Sequence, residues 1–211
     1  MNDKKSYTRA IAVSGVMGAI TVLLVITPLG LVPWFSGASL TIMQIPVIIA
    51  AILEGPIAGL IVGAIFGVSS LLKAAVAPNG VFDPIFVNPV VSILPRLLIG
   101  PGSYLVYKLL KGKESAPRVG LAAVLASIAG CLANTCLVLP LLKLFADLAH
   151  IAGLTWIVVG TIAVVNGLPE AGISAFIVTA TILIWKGLTV GRTRAKLADE
   201  DQKGNSGDRR P

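Results

Sequence analysis

Between Arg9 and Lys73 the sequence holds a single charged residue, Glu54. A water-soluble fold cannot clothe so long a stretch, because the outward faces of its elements need polar side chains. A bilayer tolerates it. The whole chain agrees: 13% of its 211 residues are charged and 55% are hydrophobic, where soluble domains carry about 25% charged residues. Its mean hydropathy is +0.90. The expected fold class is therefore all-α, a single polytopic membrane domain. The first apolar run is too long for a signal peptide and lacks a clustered small-residue cleavage site, so none is expected.

Residues 11–26 continue without a charge and, with residues 6–10, are long enough to span. Small residues recur every four positions there, at Ala10, Ser14 and Gly18, and again at Gly15 and Ala19. Each set shares a helix face and lets another helix approach closely. Residues 27–39 are broken by prolines and glycines and carry Trp34 and Phe35, which reads as a loop at the membrane surface. The aromatic pair either anchors that loop or faces a ligand. A short second helix, 40–53, contains Gln44. Glu54-Gly55-Pro56 turns it into a glycine-rich third helix, 57–72, with Glu54 as a solvated turn residue.

A fourth helix is expected over 89–110 and a fifth over 119–142, the latter carrying Cys131, Asn134 and Cys136. The two cysteines fall on different helical faces, which suggests neither a disulfide nor a metal pair. Asn134 either bonds between helices or faces a ligand. Residues 144–154, with Asp147 and His150, read as a surface loop. Residues 155–185 would make a helix of ~46 Å, longer than one crossing needs. The run is therefore expected to break near Asn166, with the sixth helix starting at Pro169. The polar, basic tail from residue 189 is expected to be disordered.

Charge orients these segments. The arm of residues 1–9 carries three Lys and Arg residues, the 108–118 break four, and the region from residue 186 onward seven. The opposite side has Lys73 and Lys143, with Arg96 inside the apolar region. Positive charge collects on the cytoplasmic side, which places both termini there and requires an even number of spans. Six transmembrane helices fit. Residues 1–9 then form a cytoplasmic arm, 10–188 the six-helix domain and 189–211 the cytoplasmic tail. The net charge of +7 is a signal of topology in a lipid bilayer and no indication of nucleic-acid binding.

Polar residues that topology does not explain gather on the outer side: Trp34, Asn79, Asp83, Asn88, Arg96, Asn166 and Glu170. The densest stretch is NGVFDPIFVNPVVSILPRLLIG, residues 79–100. Asn88 is suited to cap a helix whose first position is Pro89. Arg96 then falls two turns along, roughly 10 Å from the helix start. A charge at that depth costs several kcal/mol unless it meets a partner or a watery cavity, so it marks a functional site. Its partner is an anionic ligand, or else Asp83 or Glu170; the alternative is an arginine that ties helix ends together. The sequence has no metalloprotease helix, no Walker phosphate loop and no Cys/His pair with ligand spacing. No enzyme activity, cofactor or metal is expected.

The run FVNPVVSILPRLLIG, the hairpin IPVIIAAILEGPIAGLIVGAIFGVSSLL and the later NGLPEAG together resemble the substrate-binding S components of energy-coupling factor (ECF) vitamin transporters. The resemblance covers about residues 9–186. Its specific element is NP-x-VS-x-LPR-x-x-IG, whose placement resembles the pantothenate branch more than the riboflavin, biotin or thiamine branches. It implies capture of a water-soluble vitamin outside a bacterial cytoplasmic membrane. It also implies pairing with a membrane-embedded coupling protein carrying two ATPases, and import by toppling of the whole component. The family's small-residue motif in the first helix, which meets the coupling protein, maps onto Gly15 and Ala19, with Ser14 and Gly18 beside them. Glycine stands here where alanine is usual. A stand-alone secondary carrier or channel for a small polar metabolite is the competing class. Small size and the lack of intramembrane acids other than Glu170 count against it.

Overall fold

The computed structural model describes residues 2–33, 39–78, 82–112, 116–151 and 153–207. Trp34 and Asn79, both expected at the binding site, lie outside the described residues. The order of elements is α1 (Asn2–Ile26), a 3-10 turn (Pro28–Gly30), β1 (Leu31–Pro33), β2 (Ser39–Thr41), α2 (Ile45–Glu54) and α3 (Pro56–Val76). There follow a 3-10 turn (Asp83–Val87), α4 (Pro89–Ser92), α5 (Leu94–Lys111), α6 (Ala116–Leu148), α7 (Trp156–Val165) and α8 (Gly167–Gly207). Among the described residues the regular structure is helical apart from the β1–β2 ribbon, which pairs antiparallel with Leu31 opposite Thr41. That ribbon replaces part of the surface loop expected over 27–39.

The ten residues of α2 form the axis of the bundle, and Ile45 to Ile52 are all buried. A helix that is apolar all round must be enclosed by others. Here α1, α3, α5, α6 and α8 all pack against it. At 1.5 Å per residue α2 rises only ~15 Å, about half the hydrocarbon thickness of a bilayer. It is too short to cross a bilayer alone, and Gln44 and the ribbon stand before it.

Glycine decides how α3 meets α5. Gly59, Gly63 and Gly67 recur every four residues and seat the backbone of α5 and the turn before it. A methyl on Gly59 would lie 2.9 Å from the Gly100 Cα, one on Gly63 2.4 Å from the Arg96 carbonyl oxygen, and one on Gly67 2.7 Å from the Ile93 Cα. This is the small-residue packing that bilayers favour, where no hydrophobic effect drives helices together. It fixes the position of the Arg96 segment.

At one end of the bundle Arg9 Nε donates to Glu54 Oε1 at 2.7 Å, and the Glu54 side chain is only 7% exposed. Glu54 is thus no solvated turn residue: Arg9 crosses from α1 to neutralise it. Gly55, at φ 99°, makes the sharp reversal between α2 and α3. The Arg9 guanidinium also lies over the Trp185 ring, and Lys186 lies over Tyr107. The starts of α1 and α3, the late part of α5 and the middle of α8 therefore share one face.

Toward the other end α6 and α7 extend past the central core. The expected loop over 144–154 is helical as far as Leu148, with Lys143 and Asp147 paired one turn apart. A second apolar cluster of Ile85, Val91, Leu139, Leu142, Ala146, Leu154 and Val159 caps this end. The run over 155–185 breaks at Asn166, as expected, because Pro169 cannot donate to the carbonyl of Val165. The tail read as disordered continues α8 to Gly207. Among the described residues five segments are long and apolar enough to cross a membrane: Tyr7–Ile26, Pro56–Val76, Pro89–Lys111, Pro117–Leu148 and Trp156–Gly187. The short α2 is the reason that five rather than six appear.

Candidate functional site

The segment from Asn88 to Gly100 is built as a mount for Arg96. Asn88 Oδ1 accepts from the Val90 amide at 2.9 Å, and Pro89 occupies the first turn of α4. The continuous helix expected over 89–110 is instead divided at Ile93. The cause is Pro95, which has no N–H to give to the carbonyl of Val91, four residues back. The Arg96 guanidinium takes that acceptor, Nη1 to Val91 O, at 2.7 Å. Arg96 thus sits in the first turn of α5, not two turns into a longer helix.

Two phenyl faces flank the same guanidinium, with its Cζ 5.4 Å from the Phe66 ring centroid and 5.3 Å from that of Phe86. Aromatic faces attract a cation more strongly where water is excluded. Phe86 is held by its own backbone, since the Ser92 hydroxyl donates to the Phe86 carbonyl. Arg96 is 7% exposed, and its Nε has no protein partner. Among the described residues no carboxylate pairs with it. Asp83 begins the 3-10 turn that carries Phe86. Glu170 is engaged elsewhere.

A second polar group is buried between the N-terminus of α2, the middle of α6 and the start of α8. Glu170 Oε1 accepts from the Thr41 amide at 2.6 Å, tying the ribbon to α8. The Gln44 amide donates to the Cys131 thiol at 3.2 Å. Cys131 therefore belongs to a polar cluster and does not merely fill apolar space; Cys136 is exposed. Asn166 just before α8 and Glu170 and Ser174 within it recur every four residues and so share one side, as Cys131 and Asn134 share one face of α6. Gln44 Oε1, Asn134 Oδ1, Asn166 Oδ1 and Ser174 Oγ are buried without a protein partner. Each such atom costs about 1–3 kcal/mol if left unpaired.

Of the residues expected at the site, Asn166 and Glu170 face the buried polar cluster, Arg96 is buried between two phenyl rings against the Val91 carbonyl, and Asn88 spends its side chain on the cap. Phe66, Phe86, Gln44, Cys131 and Ser174 were not foreseen there. Gln44 alone gave a signal, as a polar side chain within an apolar helix. On α1 the small residues divide. Gly15 and Ala19 face outward, whereas Ser14 and Gly18 turn into the bundle, and a methyl on Gly18 would lie 2.7 Å from Ile65 Cδ1.

Non-helical backbone and unpaired polar atoms at the depth of a bilayer occur where protein encloses them or where they line a cavity. Together with a buried, carboxylate-free arginine they define a multi-pass membrane protein that binds a small polar solute. The profile of the substrate-specific component of ECF transporters matches residues 9–182, and the chain belongs to that family. Its members are the substrate-binding components of transporters and not enzymes. The chain is 28% identical over 195 residues to the pantothenic acid transporter PanT of Lactococcus lactis subsp. cremoris, covering 85% of this chain and 94% of that one. It is 35% identical over 103 residues to the pantothenate transporter PanT of Leuconostoc mesenteroides subsp. mesenteroides, covering 47% and 49% of the two chains.

Proposed function

We propose that this protein is the pantothenate-capturing subunit of an ECF importer. Arg96 carries the reading: a buried guanidinium with no carboxylate partner, fixed by Val91, Phe66 and Phe86, calls for an anionic group on the ligand. Pantothenate offers one carboxylate, which a guanidinium meets with two parallel hydrogen bonds. Its amide and hydroxyl groups match the unpaired atoms of Gln44, Asn134, Asn166 and Ser174. The two similar transporters are named for the same vitamin.

The rest of the reading follows from this placement. The ribbon and α2 together make a return crossing, which gives six passes and puts both termini on the cytoplasmic side of a bacterial membrane. The shared face of Arg9, Glu54, Trp185, Lys186 and Tyr107 supports this. The open face at Gly15 and Ala19 meets a membrane coupling protein, whose two ATPases supply the energy. Titration of the purified subunit in detergent with pantothenate and with its neutral alcohol analogue tests the substrate. Pantothenate should bind about tenfold more tightly or better, the worth of a charge-assisted contact. Equal binding of the two would remove Arg96 as the anchor, and binding of neither would remove pantothenate.

A further inference from the structure

Two phenyl rings meet the Arg96 guanidinium, and they are held in different ways. Phe66 belongs to α3 and is 1% exposed, so core packing fixes it. Phe86 is only partly buried and sits on the five-residue 3-10 turn Asp83–Val87. So short a turn has few hydrogen bonds of its own. Its ring needs another hold.

The backbone lacks a donor at the point where that ring is attached. In a 3-10 turn the Phe86 carbonyl would accept from residue 89, and in an α-helix from residue 90. Residue 89 is proline and has no N–H. The Val90 amide is spent on Asn88 Oδ1, at 2.9 Å. The Ser92 hydroxyl fills the gap by donating to the Phe86 carbonyl. Ser92 is itself fully buried, and its backbone is seated on α3, where a methyl on Gly67 would lie 2.9 Å from the Ser92 carbonyl oxygen. The tether to Phe86 thus starts from a fixed point.

The same device recurs at Arg96. Pro95 frees the Val91 carbonyl, and the guanidinium takes it. Each proline withholds one amide, and a side chain three residues on, or one, supplies the missing donor. Two adjacent residues of α4 therefore hold the cation by two routes: Val91 directly, and Ser92 through the Phe86 ring.

We infer that Ser92 is a positioning residue for the anionic group of the ligand, acting through Phe86. This rests on the reading of Arg96 as the partner of that anion. Ser92 does not touch the ligand; it sets the ring against the guanidinium, whose Nε is left for the anion. The ring steadies the cation and keeps water from it. A charge-assisted hydrogen bond is stronger where water is excluded. A serine that only satisfied a carbonyl would affect stability, without regard to the charge of the ligand.

The test titrates the purified full-length subunit with pantothenate and with its neutral alcohol, and reads the preference for the charged compound. Ser92→Ala and Phe86→Leu should each lower that preference roughly three- to tenfold, the worth of one ring contact to a shielded cation. The alcohol should bind within a few-fold of wild type in both. The double variant should lose no more than Phe86→Leu alone, because the serine acts through the ring. Should Ser92→Ala not fold, Ser92→Cys takes its place in the cycle, being of similar size and a weaker donor. An unchanged preference in either single variant, or losses that add in the double variant, would overturn the role of Ser92 and leave Arg96 as the partner of the anion. A wild-type protein that binds both compounds alike would overturn the reading of Arg96, and the role of Ser92 with it.

Discussion

Arg96 donates to the Val91 carbonyl oxygen that Pro95 leaves without its helical partner. Proline breaks the backbone hydrogen-bond ladder and the next side chain repairs it, which fixes the cation in one place. The expected consequence is a split between stability and function in Pro95→Ala. An alanine amide can claim Val91 O, so α4 and α5 can join and the fold should lose no stability. Arg96 then loses its mooring, and affinity for a carboxylate ligand should fall about tenfold. Thermal melting and ligand titration on the same preparation check both halves.

Arg96→Gln removes the charge but keeps side-chain donors. Binding of a carboxylate ligand should weaken roughly ten- to a hundredfold, while a neutral analogue should bind within a few-fold of wild type. Equal losses for both ligands would make Arg96 a structural residue, a role its contact with Val91 also allows. The comparison of charged and neutral ligands is what separates the two.

Much of this segment was legible in NP-x-VS-x-LPR-x-x-IG because most of its special residues act on neighbours a few positions away. Asn88 caps Val90, Ser92 reaches Phe86, and Pro95 frees Val91 for Arg96. Capping and proline chemistry are local, so sequence carries the cap, and the charge itself flags Arg96. The helix break and the return of Arg96 to Val91 need the geometry of the turn. Gly100 belongs to a longer reach: its lack of a side chain serves Gly59, on another helix. Glu54 misled for the same reason, since its partner Arg9 lies across the bundle. Gln44 was visible as polar but not as functional, because only the packing of α2 against α6 places it beside Cys131.

Gln44→Met should show the cost of keeping an unpaired amide oxygen. The same change removes the donor to the Cys131 thiol, a weak acceptor, so loss of that contact and relief of the unpaired oxygen oppose each other. The melting temperature should change little. Ligand affinity should drop about tenfold if Gln44 Oε1 meets the ligand. Unchanged affinity would remove Gln44 from the site.

Gly63→Ala tests the seat beneath Arg96. Its methyl would lie 2.4 Å from the Arg96 carbonyl oxygen, a backbone atom that no rotamer change can move. α3 and α5 must separate, which should cost about 1–3 kcal/mol and lower both melting temperature and ligand affinity. Gly15→Ala meets nothing within 4 Å and should leave both unchanged.

The outward face of α1 is the last test. Gly15→Leu and Ala19→Leu place bulk where the isolated subunit has open space, so its ligand affinity should stay within a few-fold of wild type. Vitamin uptake by cells carrying the complete importer should fall sharply, because close helix packing against the coupling protein depends on small residues. Gly18→Leu points the other way, into Ile65, and should destabilise the isolated subunit before any partner is involved. Uptake that survives Gly15→Leu and Ala19→Leu would show that the coupling protein docks on another surface. Affinity that collapses in either variant would mean that the outward face of α1 supports the pocket itself.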